Sequence, residues 1–523
     1  MRKQVQNKIK RSLPYIGSFL FFIIMLAWAL LSANGKKVDV DALLTDPGSG
    51  SVLVQTGGVR INNNQFEEDI FVAHLDGEEI DTTENRLENL KPGEYTLELE
   101  IEGYNTWKSQ VFVEPYLITD VYPFFFTHNP EVEAVFNTHI PIDSISYSIN
   151  GDYAYYVVKD ASKGSDNGIF QLQLSTVNTF FTNEANGPRK IANLLPEFEE
   201  AVRSSSYSLL PSPDNRKLLV ISDNSDQVIL DVETPGLNIS GSLTTIEELV
   251  GYKPESFEWF KGSASFIIKD KNLLAEAIIS TKKTIVITYT PNSEPIYGLN
   301  GDSLVFFSPA DNLLYTYKDE SKQSVSLENR IIPETISKLW VDKNSANFVI
   351  FESEGAFYFM SIPDSYITEI ESGISPISFS NDGKSLLYRK DDLWKTFTVT
   401  EIPIRNEFET RINTIPNIEL QEGENDTLWW NSQSTHLLRL HTKSDGNKIL
   451  RAYDKYSQNE VLILENPDIV ENSIYMLQDN QKAFLLFKNE ISGPKGEDDI
   501  DDVLSENYLY SINFEVEETD QSN

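Results

Sequence analysis

Phe379-Ser-Asn-Asp-Gly-Lys-Ser-Leu-Leu-Tyr388, followed closely by Asp392-Leu-Trp394, decides how this chain folds. An apolar residue runs into a polar turn, and an apolar strand leaves it. Asn, Asp and Gly suit a tight turn because Gly takes positive φ without steric cost and Asn and Asp bond their own backbone. Leu, Tyr and Trp in short runs between such breaks read as strands. Leu210-Pro-Ser-Pro-Asp-Asn-Arg-Lys-Leu-Leu219 repeats the same phrase earlier in the chain.

Working outward, the phrase recurs from residue 131 to 516. Turns fall at Asn150-Gly151, Pro213-Asp214, Gly262-Ser263, Asn300-Gly301, Lys343-Asn344, Asn381 to Gly383, Ser432-Gln433 and Asp479-Asn480. A strand core follows each: Tyr155–Val158, Leu218–Ile221, Phe266–Ile268, Leu304–Phe307, Phe348–Phe351, Leu386–Tyr388, Leu437–Leu440 and Phe484–Phe487. A further strand follows in each unit, as at Ile169-Phe170, Phe357–Phe359 and Tyr508–Tyr510. The period is about 47 residues, the length of a four-stranded propeller blade. One such sheet cannot bury both faces alone, and radial packing against two neighbours does so. The expectation is an all-β chain with a β-propeller of eight blades. Seven remain open if Gly262–Thr284 is an excursion. Val132 to Ile140 precedes the first unit and is placed to close the ring.

The two quoted phrases resemble the TolB-type, WD40-like propeller repeat. That resemblance implies a structural turn, so it assigns no ligand role to Asp214 or Asp382. Residues 47–127 read differently. Ile70–Leu75 leads into Asp76-Gly77, a hairpin signal. Tyr95–Ile101 alternates apolar and polar residues, a strand with one buried face. Gly50-Ser-Val-Leu-Val, Leu75-Asp-Gly77, Leu90-Lys-Pro-Gly-Glu-Tyr95 and Gly103-Tyr104 before Trp107 resemble a PEGA domain, a small β-sandwich of bacterial envelope proteins. The Pro-Glu-Gly-Ala signature is missing, and Ile61-Asn-Asn-Asn-Gln-Phe66 stands in its place. The resemblance implies binding or spacing at a cell surface.

Ahead of this module, Leu13 to Ala33 is apolar apart from Ser18 and Ser32 and carries no charge. At roughly 1.5 Å per residue it can span a bilayer core as one transmembrane helix. The basic tail 1–12 holds Arg2, Lys3, Lys8, Lys10 and Arg11, against Lys36 and Lys37 after the run. That bias places the N-terminus in the cytoplasm and the remainder outside; a PEGA-like domain and a TolB-type propeller behind such an anchor resemble an envelope protein of a bacterial cell membrane. A cleaved signal peptide is the rival; Leu31-Ser-Ala33 matches a cleavage site poorly because Leu31 is large. Residues 34–46 read as a polar linker and 517–523 as a disordered acidic tail.

The chain has 523 residues, 40% hydrophobic, with net charge −37 and no cysteine. Such an acidic surface repels phosphate backbones, so no nucleic-acid partner is expected. The absence of cysteine excludes disulfides, thiolate metal sites and thiol catalysis. The five histidines, His74, His128, His139, His436 and His441, lack zincin spacing. His436 and His441 flank a strand and read as surface residues. No Gly-x-Ser-x-Gly elbow exists. Glu497-Asp-Asp-Ile-Asp-Asp502 lacks the order of a calcium loop and reads as a self-repelling loop. Trp429-Trp430 fits either core filling or sugar stacking. Thus no catalytic, cofactor-binding or metal-ligating residue is singled out, and no cofactor is expected. The reading is a non-enzymatic, membrane-anchored binding or scaffold protein with an envelope protein or glycan partner. The alternative is a carbohydrate-active enzyme with two carboxylates in the propeller channel, about 5–10 Å apart.

Overall fold

A computed structural model describes most residues between 53 and 514, together with 22 and 36–38. Within 53–514, the longest stretches outside the description are 175–186, 195–205, 326–335 and 489–506. The expected helix Leu13–Ala33 lies outside the described residues except for Phe22, and the acidic run 497–502 lies outside them entirely. Among the described residues, no helix is long and apolar enough to cross a membrane. The chain divides into two compact units, 1–128 and 129–523.

The first unit contains a two-sheet β-sandwich. One sheet orders its strands Arg86–Leu90, Gly57–Ile61 and Ile118–Val121; the other orders Glu78–Ile80, Val72–Leu75, Gly93–Glu100 and Trp107–Val113. Trp107–Val113 alternates buried and exposed positions without a break, because one face of a strand meets the core and the other meets water. Val59, Leu87 and Val121 from one sheet pack with Leu97, Leu99, Trp107 and Val111 from the other. Asp76 and Gly77 both take positive φ, as a tight two-residue hairpin requires. Within the stretch read as a linker, Lys36–Val38 pairs antiparallel with Leu53–Gln55.

The second unit holds eight antiparallel sheets in chain order, here called blades 1 to 8. Blade 1 comprises Ser144–Tyr147, Tyr153–Val158, Gly168–Gln173 and Arg189–Ala192. Blades 2 to 7 begin at Tyr207, Ser256, Ile296, Lys338, Ile374 and Asp426. Blade 8 joins Tyr475-Met476, Lys482–Lys488 and Asn507–Asn513 to Glu131–Ala134. Val132 faces Ile512 in that last pairing, so the start of the unit closes the final blade. Gly262–Thr284 lies within a full blade, Ser256–Tyr289, and the count is eight.

Apolar side chains join consecutive blades. Tyr155 and Val157 of blade 1 pack with Leu218 and Val220 of blade 2. Leu219 packs with Phe266 and Ile268, Phe260 with Leu304 and Phe306, and Val305 with Val349 and Phe351. Ile350 packs with Leu386 and Tyr388, and Leu387 with Leu437 and Trp430. Lys448 Nζ of blade 7 donates to Ile469 O at the entry to blade 8, 2.7 Å away. Ala154 and Tyr156 then meet Leu486 and Leu509, and Tyr147 OH donates to Ser473 O at 2.8 Å. The blades therefore form a closed ring.

Turn side chains set where the strands begin. Ser148 Oγ accepts from Tyr153 N, Ser212 Oγ from Lys217 N, and Ser380 Oγ from Ser385 N. Asn431 and Asp342 take the same place with their side-chain oxygens. Gly383 sits at φ +70°, the conformation its turn needs. Two elements were not expected. The outer strand of blade 2 shrinks to Thr244-Thr245, and Thr245 caps the short helix Ile246–Val250 by accepting from Glu248 N. In blade 6 the third strand runs on to Ile404 and returns through Glu407–Asn413, while Glu419–Gln421 pairs with its base.

Candidate functional site

Blades 1 and 2 turn from their first to their second strands at Ser148 to Asp152 and at Ser212 to Arg216. There, blades 1 and 2 enclose a cavity of about 1000 Å³. Its lining comes from the two turns (Asn150, Asp152, Asp214, Asn215, Arg216), from the third strand of blade 1 (Gln171, Gln173), and from Arg189 and Glu233. Polar groups dominate because strand ends and turns, rather than strand middles, meet at this place.

A chain of hydrogen bonds fixes the cavity wall. Arg189 Nη2 donates to Gln171 Oε1 and, at 2.8 Å, to Val232 O. Gln171 Nε2 donates to Tyr155 OH at 3.2 Å. Asn215 Nδ2 donates to Asn150 Oδ1 at 2.8 Å, tying one turn to the next. Burial pushes the Tyr155 phenol up to about 12. Asp214 accepts from Ser212 Oγ, Arg216 N, Ser263 N and Ser263 Oγ. Partial burial penalises its anion, but these donors outweigh it and hold the carboxyl below its ordinary range. Asp214 thereby binds blade 2 to blade 3, and Asp382 lies outside the described residues.

A second concavity, about 450 Å³, runs along the first strands of blades 3 to 6. Glu258, Tyr297, Trp340 and Ser378 are in its wall, and Glu258 is the one carboxylate among its lining residues. Tyr297 OH donates to Glu258 Oε1 at 3.1 Å. The carboxylate pair expected for a channel-centred enzyme is not brought together in this groove. Across the described residues, the resolved carboxyl shifts at Asp214, Asp231, Asp311 and Glu294 are all downward.

The histidines depart from expectation. His436 is buried, not on the surface, because the Asn431 turn folds over the start of its strand. Burial pushes its imidazole pKa down, opposed by Asp454 at 3.6 Å. His441, at the far end of the same strand, is half-buried, with Nδ1 2.6 Å from Asp426 Oδ1. That carboxylate is fully enclosed and also accepts from Arg439. An Asp-held imidazole is part of a general base. Among the described residues, however, no hydroxyl bonds its other ring nitrogen, and no group of three His, Asp or Glu could hold a metal. Trp430 is buried with Leu437 and Tyr453, while Trp429 stays half-buried.

The class defined by this geometry is an eight-bladed β-propeller preceded by a small β-sandwich. No protein-family model and no curated protein matches the sequence. Solved structures similar to it include the WD40 domain of SCAP from fission yeast, 11% identical over 74% of this chain and 98% of that one, TM-score 0.38. Oligopeptidase B from Leishmania major is 10% identical over 71% of this chain, TM-score 0.40, and this chain spans 55% of its length. A eukaryotic initiation factor is 11% identical over 70% of this chain and 85% of that one, TM-score 0.40. These scores are low, so the fold assignment rests on the strand pairing and blade-to-blade packing above.

Proposed function

We propose that the chain is a single-pass protein of a bacterial cell membrane whose extracytoplasmic sandwich and propeller bind a partner rather than catalyse a reaction. The charge-free run Leu13–Ala33 with its basic flank supports the tether. The PEGA-like turns from Leu75 to Trp107 support an envelope setting for the sandwich. The observation that carries binding is the cavity between blades 1 and 2. It is large and polar, and its best-held carboxylate, Asp214, is fixed as an anion by four hydrogen bonds. A glycosidase acid must be protonated before it can act, which requires an upward shift.

Two measurements test this. In intact bacterial cells making the full chain with a C-terminal tag, added protease should remove the tag without lysis. A protected tag would overturn the topology. The purified full chain should turn over none of a panel of aryl glycosides or peptide amides above blank rates. Turnover lost on substituting Glu258 or Asp426 would replace the binding reading with an enzymatic one.

A further inference from the structure

Resting on the reading of the propeller as a binding module, we propose that the cavity between blades 1 and 2 is a site for a neutral oligosaccharide, contacted by Tyr153, Gln173 and Arg189. Its volume of about 1000 Å³ stands at the upper end of small-molecule sites, which run to roughly 1,000 Å³. That is room for several sugar rings rather than one.

The carboxylates in the wall are already bonded. Arg216 Nε lies 3.3 Å from Glu233 Oε1, Asp214 holds four donors, and Asp152 accepts from Asn150. A phosphate or carboxylate ligand would face three carboxylates against two guanidiniums, one of which, Arg216, already pairs with Glu233, and the excess of like charge repels it. An apolar ligand would cover polar atoms without bonding them, which costs free energy for each.

Unmatched hydrogen-bonding capacity remains, and it is of mixed kind. Asn215 faces the cavity with its Nδ2 already bonded to Asn150 and its Oδ1 shielded, so it shapes the wall rather than offering a group to a ligand. The Gln173 carboxamide, which both donates and accepts, has no partner among the described residues, and neither has the Tyr153 hydroxyl. Among the described residues, Arg189 is bonded only to neutral acceptors, leaving further N–H groups to donate. A sugar hydroxyl donates and accepts at once, so a row of them can meet amide, phenol and guanidinium together. The Tyr153 ring offers an apolar face beside them. The Arg189–Gln171–Tyr155 chain fixes these groups before any ligand arrives, which lowers the ordering cost of binding.

The test uses the full chain in a detergent without a sugar headgroup. Ligand-observed NMR and calorimetry compare cellotetraose, maltotetraose and chitotetraose with tetragalacturonate. At least one neutral tetrasaccharide should bind, and tetragalacturonate should not. Gln173→Ala and Tyr153→Phe should each weaken that binding about fivefold, the worth of one hydrogen bond. Gln323→Ala, on the exposed outer strand of blade 4, should leave it unchanged. Tyr153→Phe keeps the ring, so its effect does not hinge on refolding. Binding of tetragalacturonate alone, of no tetrasaccharide, or of a neutral one unaffected by both substitutions would overturn the proposal. If the chain still retains an envelope protein or polymer while ignoring every tetrasaccharide, only the sugar site fails; if it retains nothing, the binding reading fails with it.

Discussion

The seam between blades 3 and 4 and the seam between blades 1 and 2 each add a polar network to their apolar packing, yet one network is sealed and the other open. In the first, Glu276 of blade 3 is 1% exposed. It accepts from Lys261 Nζ at 3.1 Å, Ser265 Oγ at 2.8 Å and Tyr317 OH of blade 4 at 2.6 Å. Lys261 also lies over the rings of Phe260 and Tyr317. Burial and this carboxylate together push the Tyr317 phenol well up. In the second seam, Arg189, Gln171 and Tyr155 form a chain without a carboxylate, and Arg189 keeps N–H groups with no acceptor among the described residues. A buried polar group is stabilising only when fully partnered. The first seam therefore serves the ring, and the second keeps polar atoms facing a cavity.

The sealed seam should break hardest. Glu276→Ala removes the acceptor shared by three donors and leaves a lysine at a blade interface without its anion. Loss of one partner of a buried pair costs about 3–5 kcal/mol, and urea unfolding of the full chain should register a loss of that size. Gln at 276 keeps the shape and should restore part of it. A smaller effect is expected at the seam of blades 4 and 5. A Cβ on Gly298 would lie 2.5 Å from Val341 Cγ2 and 2.9 Å from Leu339 Cδ2. Gly298→Ala forces both side chains aside and should cost about 1–3 kcal/mol in the same assay, as overpacking does.

Asp214 joins the open seam to a closed one and makes its contribution pH-dependent. Its folded pKa is depressed by the hydrogen bonds from Ser263, Ser212 and Arg216 working against burial. The stability it supplies is therefore present above the ordinary carboxyl value near 4 and is lost as pH falls through the lower folded value. Asp214→Asn should cost about 1 kcal/mol at neutral pH, an amount discounted for its exposure. The gap between the two proteins should close as unfolding is followed from pH 6 down to pH 2. A gap constant with pH would mean that shape, not charge, matters at this turn.

Much of the ring could be read from residue order, and the reason is physical. Second and third strands are covered on both faces by neighbouring blades. Tyr153–Val158, Phe348–Ser353 and Lys482–Lys488 are accordingly apolar runs bounded by turns. Outer strands meet water and lose that mark. Ser321–Ser324 is exposed at every position, and Thr244-Thr245 has two residues. The Val132 strand was legible because an apolar segment stood one strand ahead of the first full unit. The cavity was not legible. Tyr153, Gln173, Arg189 and Asn215 come from separate strands and turns of two blades, so no spacing unites them. The only local hint is Gln171 and Gln173, two carboxamides on one side of a strand otherwise built from Gly168, Ile169, Phe170 and Leu172. His436 misled because strand ends are usually wet, whereas here the Asn431 turn covers the end.

The smallest expected effect sharpens the contrast most. Gln173→Ala removes a half-buried carboxamide with no partner among the described residues, on the strand that carries Gln171. Among the described residues no hydrogen bond is broken, and the alanine methyl leaves the cavity wider rather than crowded. Substitutions away from caps, cores and buried networks usually lie within about 0.5 kcal/mol of the parent. Unfolding of Gln173→Ala should therefore overlay that of the parent, in contrast to Glu276→Ala. Gln171→Ala, two residues away on the same face, tests the difference within one strand. It strips Arg189 and Tyr155 of a shared partner and should cost about 1–2 kcal/mol. Equal losses at 171 and 173 would mean that the cavity wall is as much a part of the ring's stability as the sealed seam. A loss at 171 alone would mark Gln173 as a side chain with nothing inside the protein to hold.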